Sequence, residues 1–152
     1  MKWESGNLEL FYQSKEYIDT LCIPLIPIKL DSASTDSKLA NQKQSMQILV
    51  NELERNFTGR LLLSPIYTYL YETNYESEAE RLEQWTSHLA RDNFKHVFLL
   101  TNDVNWKKQE SHLSGNLVWL TAPMTDDIRS DKMKEFIKDQ TTQVSELIKS
   151  YW

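Results

Sequence analysis

Seven polar residues of this chain have the types that bind or transform a ligand: Asp31, Ser64, Tyr67, Thr101, Asn102, Asp103 and Thr121. Each falls where a strand would end if strands and helices alternate along the chain. Carboxylates and hydroxyls converging on one crevice can hold a hydrated divalent ion, or orient a sugar or amide substrate. Asp103 is the strongest of them as a catalytic or ion-binding group. The same residue types also turn chains and cap helices, and Asp103, two positions before Asn105, fits an Asx turn equally well. No catalytic residue is assigned on this basis. A second set is aromatic. Tyr67, Tyr69, Tyr71 and Tyr75, with Trp106, could form a strip on an edge-like segment that docks an extended peptide or a partner protein. Packing of Tyr67 and Tyr71 against a neighbouring helix is the competing reading.

Other chemistries lack their residues. Glycine occurs only at Gly6, Gly59 and Gly115, so neither the dinucleotide nor the P-loop pattern of phosphate-binding glycines exists. No serine stands in a Gly-x-Ser-x-Gly elbow, and Cys22 has no histidine near it in sequence. His88, His96 and His112 are not at metal-ligand spacing. The expectation is a chain with no cofactor and no metal. Its net charge of −5 argues against a nucleic-acid partner, whose phosphates call for a basic face. No apolar run approaches the length of a membrane span or a secretory core, and the single cysteine has no disulfide partner. These features read as a cytoplasmic protein whose partner is another cytoplasmic protein. Oligomeric state is not encoded in any pattern here.

The elements that must position these residues follow from hydrophobic periodicity. Val97-Phe98-Leu99-Leu100 is a short, unbroken apolar run bounded by polar residues, the pattern of a strand buried on both faces. Thr20–Leu30 is also extended and apolar. Pro24 and Pro27 interrupt it, which restricts the regular strand to Leu21–Ile23 and argues against a central place in a sheet. Further strands are expected at 60–65 and 116–121, with Tyr67, Tyr69 and Tyr71 on one face of an extended segment. Helices are expected at Ser5–Glu16, with Leu8, Phe11 and Tyr12 inward, at Gln44–Phe57, from Ser77 to about Asp92, and from a cap at Asp126, Asp127 or Ser130 almost to the C-terminus. Gly59 supplies the left-handed stop to the second helix. The Ser-, Asp- and Asn-rich stretch 31–42 reads as a mobile loop. Alternating strands and helices at these spacings predict one α/β domain over residues 1–152. Its architecture would be a three-layer α/β/α sandwich around a mainly parallel four-stranded sheet in the order 2-1-3-4. It would be Rossmann-like without the glycine-rich phosphate loop.

Several stretches resemble the YpiF family of small bacterial proteins. They are Lys15-Glu16-Tyr17-Ile18-Asp19-Thr20, Ile23-Pro24-Leu25-Ile26-Pro27, Asn51-Glu52-Leu53-Glu54-Arg55, and Gly59-Arg60 with Pro65 and Thr68-Tyr69-Leu70. The likeness lies in the first half of the chain. It implies a bacterial, cytoplasmic setting and brings no catalytic residue with it. Two readings result. A non-enzymatic binding or adaptor module would show an exposed aromatic patch. A small-ligand-binding protein or enzyme would show a polar pocket at the carboxyl ends of the strands, with two of the carboxylates facing one point.

Overall fold

In the computed structural model, which describes residues 1–152, helices and strands alternate along the chain. Numbered in chain order, they are α1 (Ser5–Gln13), β1 (Thr20–Ile28), α2 (Ala33–Asn56), β2 (Leu61–Leu63), β3 (Tyr67–Leu70), α3 (Tyr75–Ala90), β4 (His96–Thr101), β5 (Asn116–Trp119) and α4 (Asp131–Ser150). A 3₁₀ segment, Val104–His112, joins β4 to β5. All strand pairings are parallel. The sheet runs β2-β1-β4-β5, and β3 also pairs with β1. The expected order therefore holds, with a fifth strand added.

The apolar run does bury both faces of β4. Phe98 and Leu100 enter a core shared with α2 and α4, and Val97 and Leu99 enter a second core beneath α3 and the 3₁₀ segment. β1 alternates in the same way, with Cys22 and Ile26 toward the first core and Leu21, Ile23 and Leu25 toward the second. Each such fully buried large side chain contributes about 1.5–3 kcal/mol. Helices on both faces complete the three layers.

β1 corrects the expectation set by its prolines. It is central, flanked by β4 on one side and by β2 and β3 on the other, and it stays regular from Thr20 to Ile28. The Cys22 and Ile28 carbonyls accept from Ser64 and Tyr71, so even-numbered residues of β1 direct their backbone groups toward β2 and β3. Pro24 faces that side at the one place where the neighbour is interrupted. Cys22 pairs with Leu63 and Leu25 with Tyr67, so the neighbour carries one extra residue, a bulge at Ser64-Pro65-Ile66. Pro27 faces the other side, beyond the last β1–β4 pair, Leu25 with Thr101. Neither proline removes a hydrogen bond that a neighbour was placed to make.

Three helix boundaries also differ from expectation. α2 begins at Ala33, so most of 31–42 is helical. This stretch contains no glycine or proline, and the Ser32 N–H donates to Asp36 Oδ2 (3.1 Å) in the first turn. α3 begins at Tyr75, capped by Asn74 Oδ1, which accepts from the Ser77 N–H (3.2 Å). α1 ends at Gln13 and leaves Tyr12 exposed. The Met46, Leu49, Val50, Leu53 and Phe57 stripe is buried as expected, Gly59 takes φ +90°, and Ser130 caps α4 through the Met133 N–H. No helix is long and apolar enough to cross a membrane.

Candidate functional site

β4 ends at Thr101, and the chain turns through Asn102 into Asp103, which is 5% exposed. The Thr101 hydroxyl accepts from the Asp103 N–H at 2.9 Å, which fixes the turn. Four donors meet the carboxylate. Oδ1 accepts from the Asn105 backbone N–H (3.0 Å) and from Asn105 Nδ2 (2.9 Å). Oδ2 accepts from the hydroxyls of Tyr69 (2.7 Å) and Tyr75 (2.5 Å). Tyr75 Oη in turn accepts from the N–H of Glu72, a non-glycine residue held at φ +56°. No Lys, Arg or His lies within ion-pair distance of Asp103, so neutral donors alone solvate its charge. Asp103 thus caps the 3₁₀ segment and ties β3, α3 and β4 together.

Burial, together with the Asp103 charge and the hydrogen bonds to it, pushes the Tyr69 and Tyr75 hydroxyls far above the ordinary phenol range. Burial and Glu78 do the same for Tyr67, whose hydroxyl donates to Glu78 Oε2 at 2.7 Å. All three remain protonated donors at neutral pH. Around them the rings interlock edge to face. Trp106, fully buried, meets Tyr69 at 5.2 Å and Tyr75 at 5.5 Å between centroids, and Trp85 meets Tyr67 at 5.3 Å. Such pairs contribute about 0.5–1.5 kcal/mol each beyond the area they bury.

These positions answer both expectations. Tyr67 and Tyr69 do share one face of β3, but that face is interior. Tyr67, Tyr69 and Trp106 are buried, and Tyr71 and Tyr75 are half-buried, so they form no exposed docking strip. The physical reason is that α3 and the 3₁₀ segment cover this face, and sequence periodicity marks a face without saying which layer covers it. Among the polar candidates, Thr101 and Asp103 are joined, with Tyr69 and Tyr75, by direct hydrogen bonds. Asn102 Nδ2 donates to the Leu120 carbonyl (3.0 Å), and the exposed Thr121 hydroxyl accepts from Gln140 (3.3 Å). Asp31 is exposed and faces Lys29 (3.6 Å), which also reaches Glu72 (3.7 Å). Ser64 lies in the bulge, midway along the sheet rather than at its carboxyl edge, because β2 and β3 succeed one another beside β1. Asp31 and Asp103 share no partner. No group of three or more His, Cys, Asp or Glu side chains is placed to hold a metal ion.

An apolar concavity on the α3 face lies elsewhere. Between α1, α3 and the sheet is a groove of about 560 Å³ whose walls include Trp3, Phe11, Tyr12, Trp85 and Phe94, with Ser64, Gln84, His88 and Asn93 as its polar members. Trp3 and Tyr12 stand at its rim, 58% and 68% exposed. A groove of this size, mostly apolar with a few polar groups, has the make-up of a small-molecule site. Sequence reading missed it. Tyr12 follows the buried Phe11 within a single turn, and Trp3 precedes any regular element, so only the placement of α1 beside α3 across the groove brings them together.

The family model described as "Protein of unknown function (DUF2487)" matches residues 9–152. The chain is 28% identical to "Uncharacterized protein YpiF" of Bacillus subtilis (strain 168) over 153 residues, which span 100% of this chain and 98% of that protein. The likeness therefore runs through the second half as well as the first. No solved structure matches. With nearly its whole length matched, this chain belongs to the DUF2487 family.

Proposed function

We propose that this protein is a non-enzymatic binding or adaptor module, cytoplasmic and built as one domain, that engages its partner through the aromatic groove between α1 and α3. The observation that carries the reading is the groove itself, with two large aromatic side chains standing exposed at its rim. Exposed aromatic residues beside an apolar concavity are the usual anchors of an interface. The proposed partner is a protein or a small, largely apolar ligand rather than a nucleic acid, given the net charge of −5.

The alternative, a ligand or reaction at the carboxyl edge around Asp103, has less support. Both oxygens of that carboxylate are already engaged by internal donors, so a substrate would have to displace Tyr69, Tyr75 or Asn105. A thermal-shift screen against apolar and aromatic small molecules separates the two. A ligand at a hundredfold over its dissociation constant adds about 2.7 kcal/mol, roughly 8 °C for a chain of this length. The expected shift disappears in Trp3→Ala and Tyr12→Ala and survives in Asp103→Asn. A shift lost only in Asp103→Asn would move the function to the carboxyl edge.

A further inference from the structure

On the opposite face of the sheet, α2 and α4 leave a second groove between them, of about 710 Å³. Ile128 and Ile137 lie in it and Ile48, 37% exposed, stands at its side. Its walls repeat by whole turns. Ile48, Glu52 and Asn56 follow one another at four-residue spacing on α2, and Lys134, Lys138 and Thr142 do so on α4. Eight residues of helix make each wall about 12 Å long.

The charge in this groove runs against that of the chain. Arg129, Lys134 and Lys138 line it, and none has a carboxylate within ion-pair distance. This occurs in a protein with 22 acidic against 17 basic side chains. The one carboxylate in the groove, Glu52, is taken by Arg55 at 2.6 Å. Asp131 and Glu135 stand three residues before Lys134 and Lys138 on α4, a spacing at which side chains are neighbours, yet neither carboxylate comes within ion-pair distance of a lysine. Three cations thus line the trough, and none of them is ion-paired with a carboxylate of this chain.

We propose that the α2–α4 groove docks an acidic amphipathic helix of a partner protein. The partner's apolar stripe lies on Ile48 and Ile128, above the buried Ile137 that forms the floor. Carboxylates one turn apart on that helix meet Lys134 and Lys138, which are themselves one turn apart, and Arg129 closes one end. A nucleic-acid strand fits less well. Its phosphates would continue past the short cationic wall, on a molecule whose overall charge repels them. The groove lies across the sheet from the aromatic one, so both can be filled at once, and either can fail without the other.

The test uses the full-length protein and a labelled synthetic helix of about four turns, with glutamates at i and i+4 beside a leucine stripe, read by fluorescence anisotropy. Controls are a scrambled peptide of equal composition and a version with lysine in place of glutamate. The acidic helix is expected to bind at least about tenfold more tightly than the scrambled one and to weaken with added salt. The exposed double variant Lys134→Glu/Lys138→Glu keeps its circular dichroism and melting temperature, loses that binding, and gains affinity for the lysine version. Equal binding of the scrambled peptide, undiminished binding by the double variant, or displacement by a single-stranded oligonucleotide at lower concentration than by unlabelled peptide would each overturn the proposal.

Discussion

Removing the Asp103 carboxylate tests whether it acts as the knot of the second core. Asp103→Ala takes away an acceptor shared by four donors, and the Tyr69 hydroxyl, on a residue only 4% exposed, is left without a partner. Hydrogen bonds to a charged group contribute about 1.5–3 kcal/mol each, and an orphaned buried donor costs about 1–3 kcal/mol. These terms share one carboxylate and do not add, so the expected loss is about 3–5 kcal/mol. With an unfolding entropy near 2.1 cal/mol/K per residue, 152 residues shift by about 3 °C per kcal/mol, which places the drop in melting temperature at roughly 9–16 °C. The decisive assay is a double-mutant cycle in urea with Tyr69→Phe. Alone, Tyr69→Phe loses a bond to a charge and costs about 1.5–3 kcal/mol. In the Asp103→Ala background it removes a hydroxyl that no longer has a partner, and is expected to cost about 1 kcal/mol less, or to stabilise. An equal cost of Tyr69→Phe in both backgrounds would refute the picture of a carboxylate solvated by tyrosine hydroxyls.

Three further outcomes follow from the same geometry. Tyr67, Tyr69 and Tyr75 have folded-state pKa values raised above the unfolded phenol value near 10. The stability they carry is fully present below pH ~10 and is lost as pH rises beyond it, so chemical denaturation is expected to show a falling alkaline limb, shallower in Tyr75→Phe. Cys22, fully buried with its thiol pushed up to about 12 by that burial, is expected to react with a disulfide reagent at pH ~8 only through unfolding, at a rate set by denaturant. For Asp19, burial raises the carboxyl pKa, but this is outweighed by hydrogen bonds from Arg60 and Thr20 and by the charges of Arg60 and His96, which hold it below the usual range. Its contribution is present above the unfolded carboxylate value and lost as pH falls, so Asp19→Asn is expected to cost about 1–2 kcal/mol at neutral pH and to flatten the acid limb of stability.

Much of the architecture was legible because it is local. Val97–Leu100 signals a strand buried on two faces through its composition alone, and the α2 stripe signals a helix through its period. The order of the strands follows from connection lengths and handedness. What was not legible depends on neighbours. The prolines of β1 count against a central strand only until the positions of the β2–β3 bulge and the end of β4 are known. Residues 31–42 have a loop composition yet are mostly helical, since the helix is held by burial of Leu39 and the turns beyond it rather than by propensity. The tyrosines of β3 declared their common face but not the layer above it. Asp103 was singled out for chemistry and also for an Asx turn, and the structure places it in that turn with its valences filled. The two grooves were invisible because each is a property of two helices at once.

The prolines of β1 also set the alignment of the whole sheet. A parallel strand as apolar as Leu21–Ile26 could in principle slide along its neighbours by two residues and still bury the same faces. Here it cannot do so freely. In the native alignment Pro24 faces a bulge, and Pro27, itself buried, lies past the last residue that β1 pairs with β4. A two-residue slide in either direction carries a ring without an N–H into a segment whose carbonyls need one. The cost falls on the misaligned states and leaves the native one untouched, so these two residues work as keys that admit a single register.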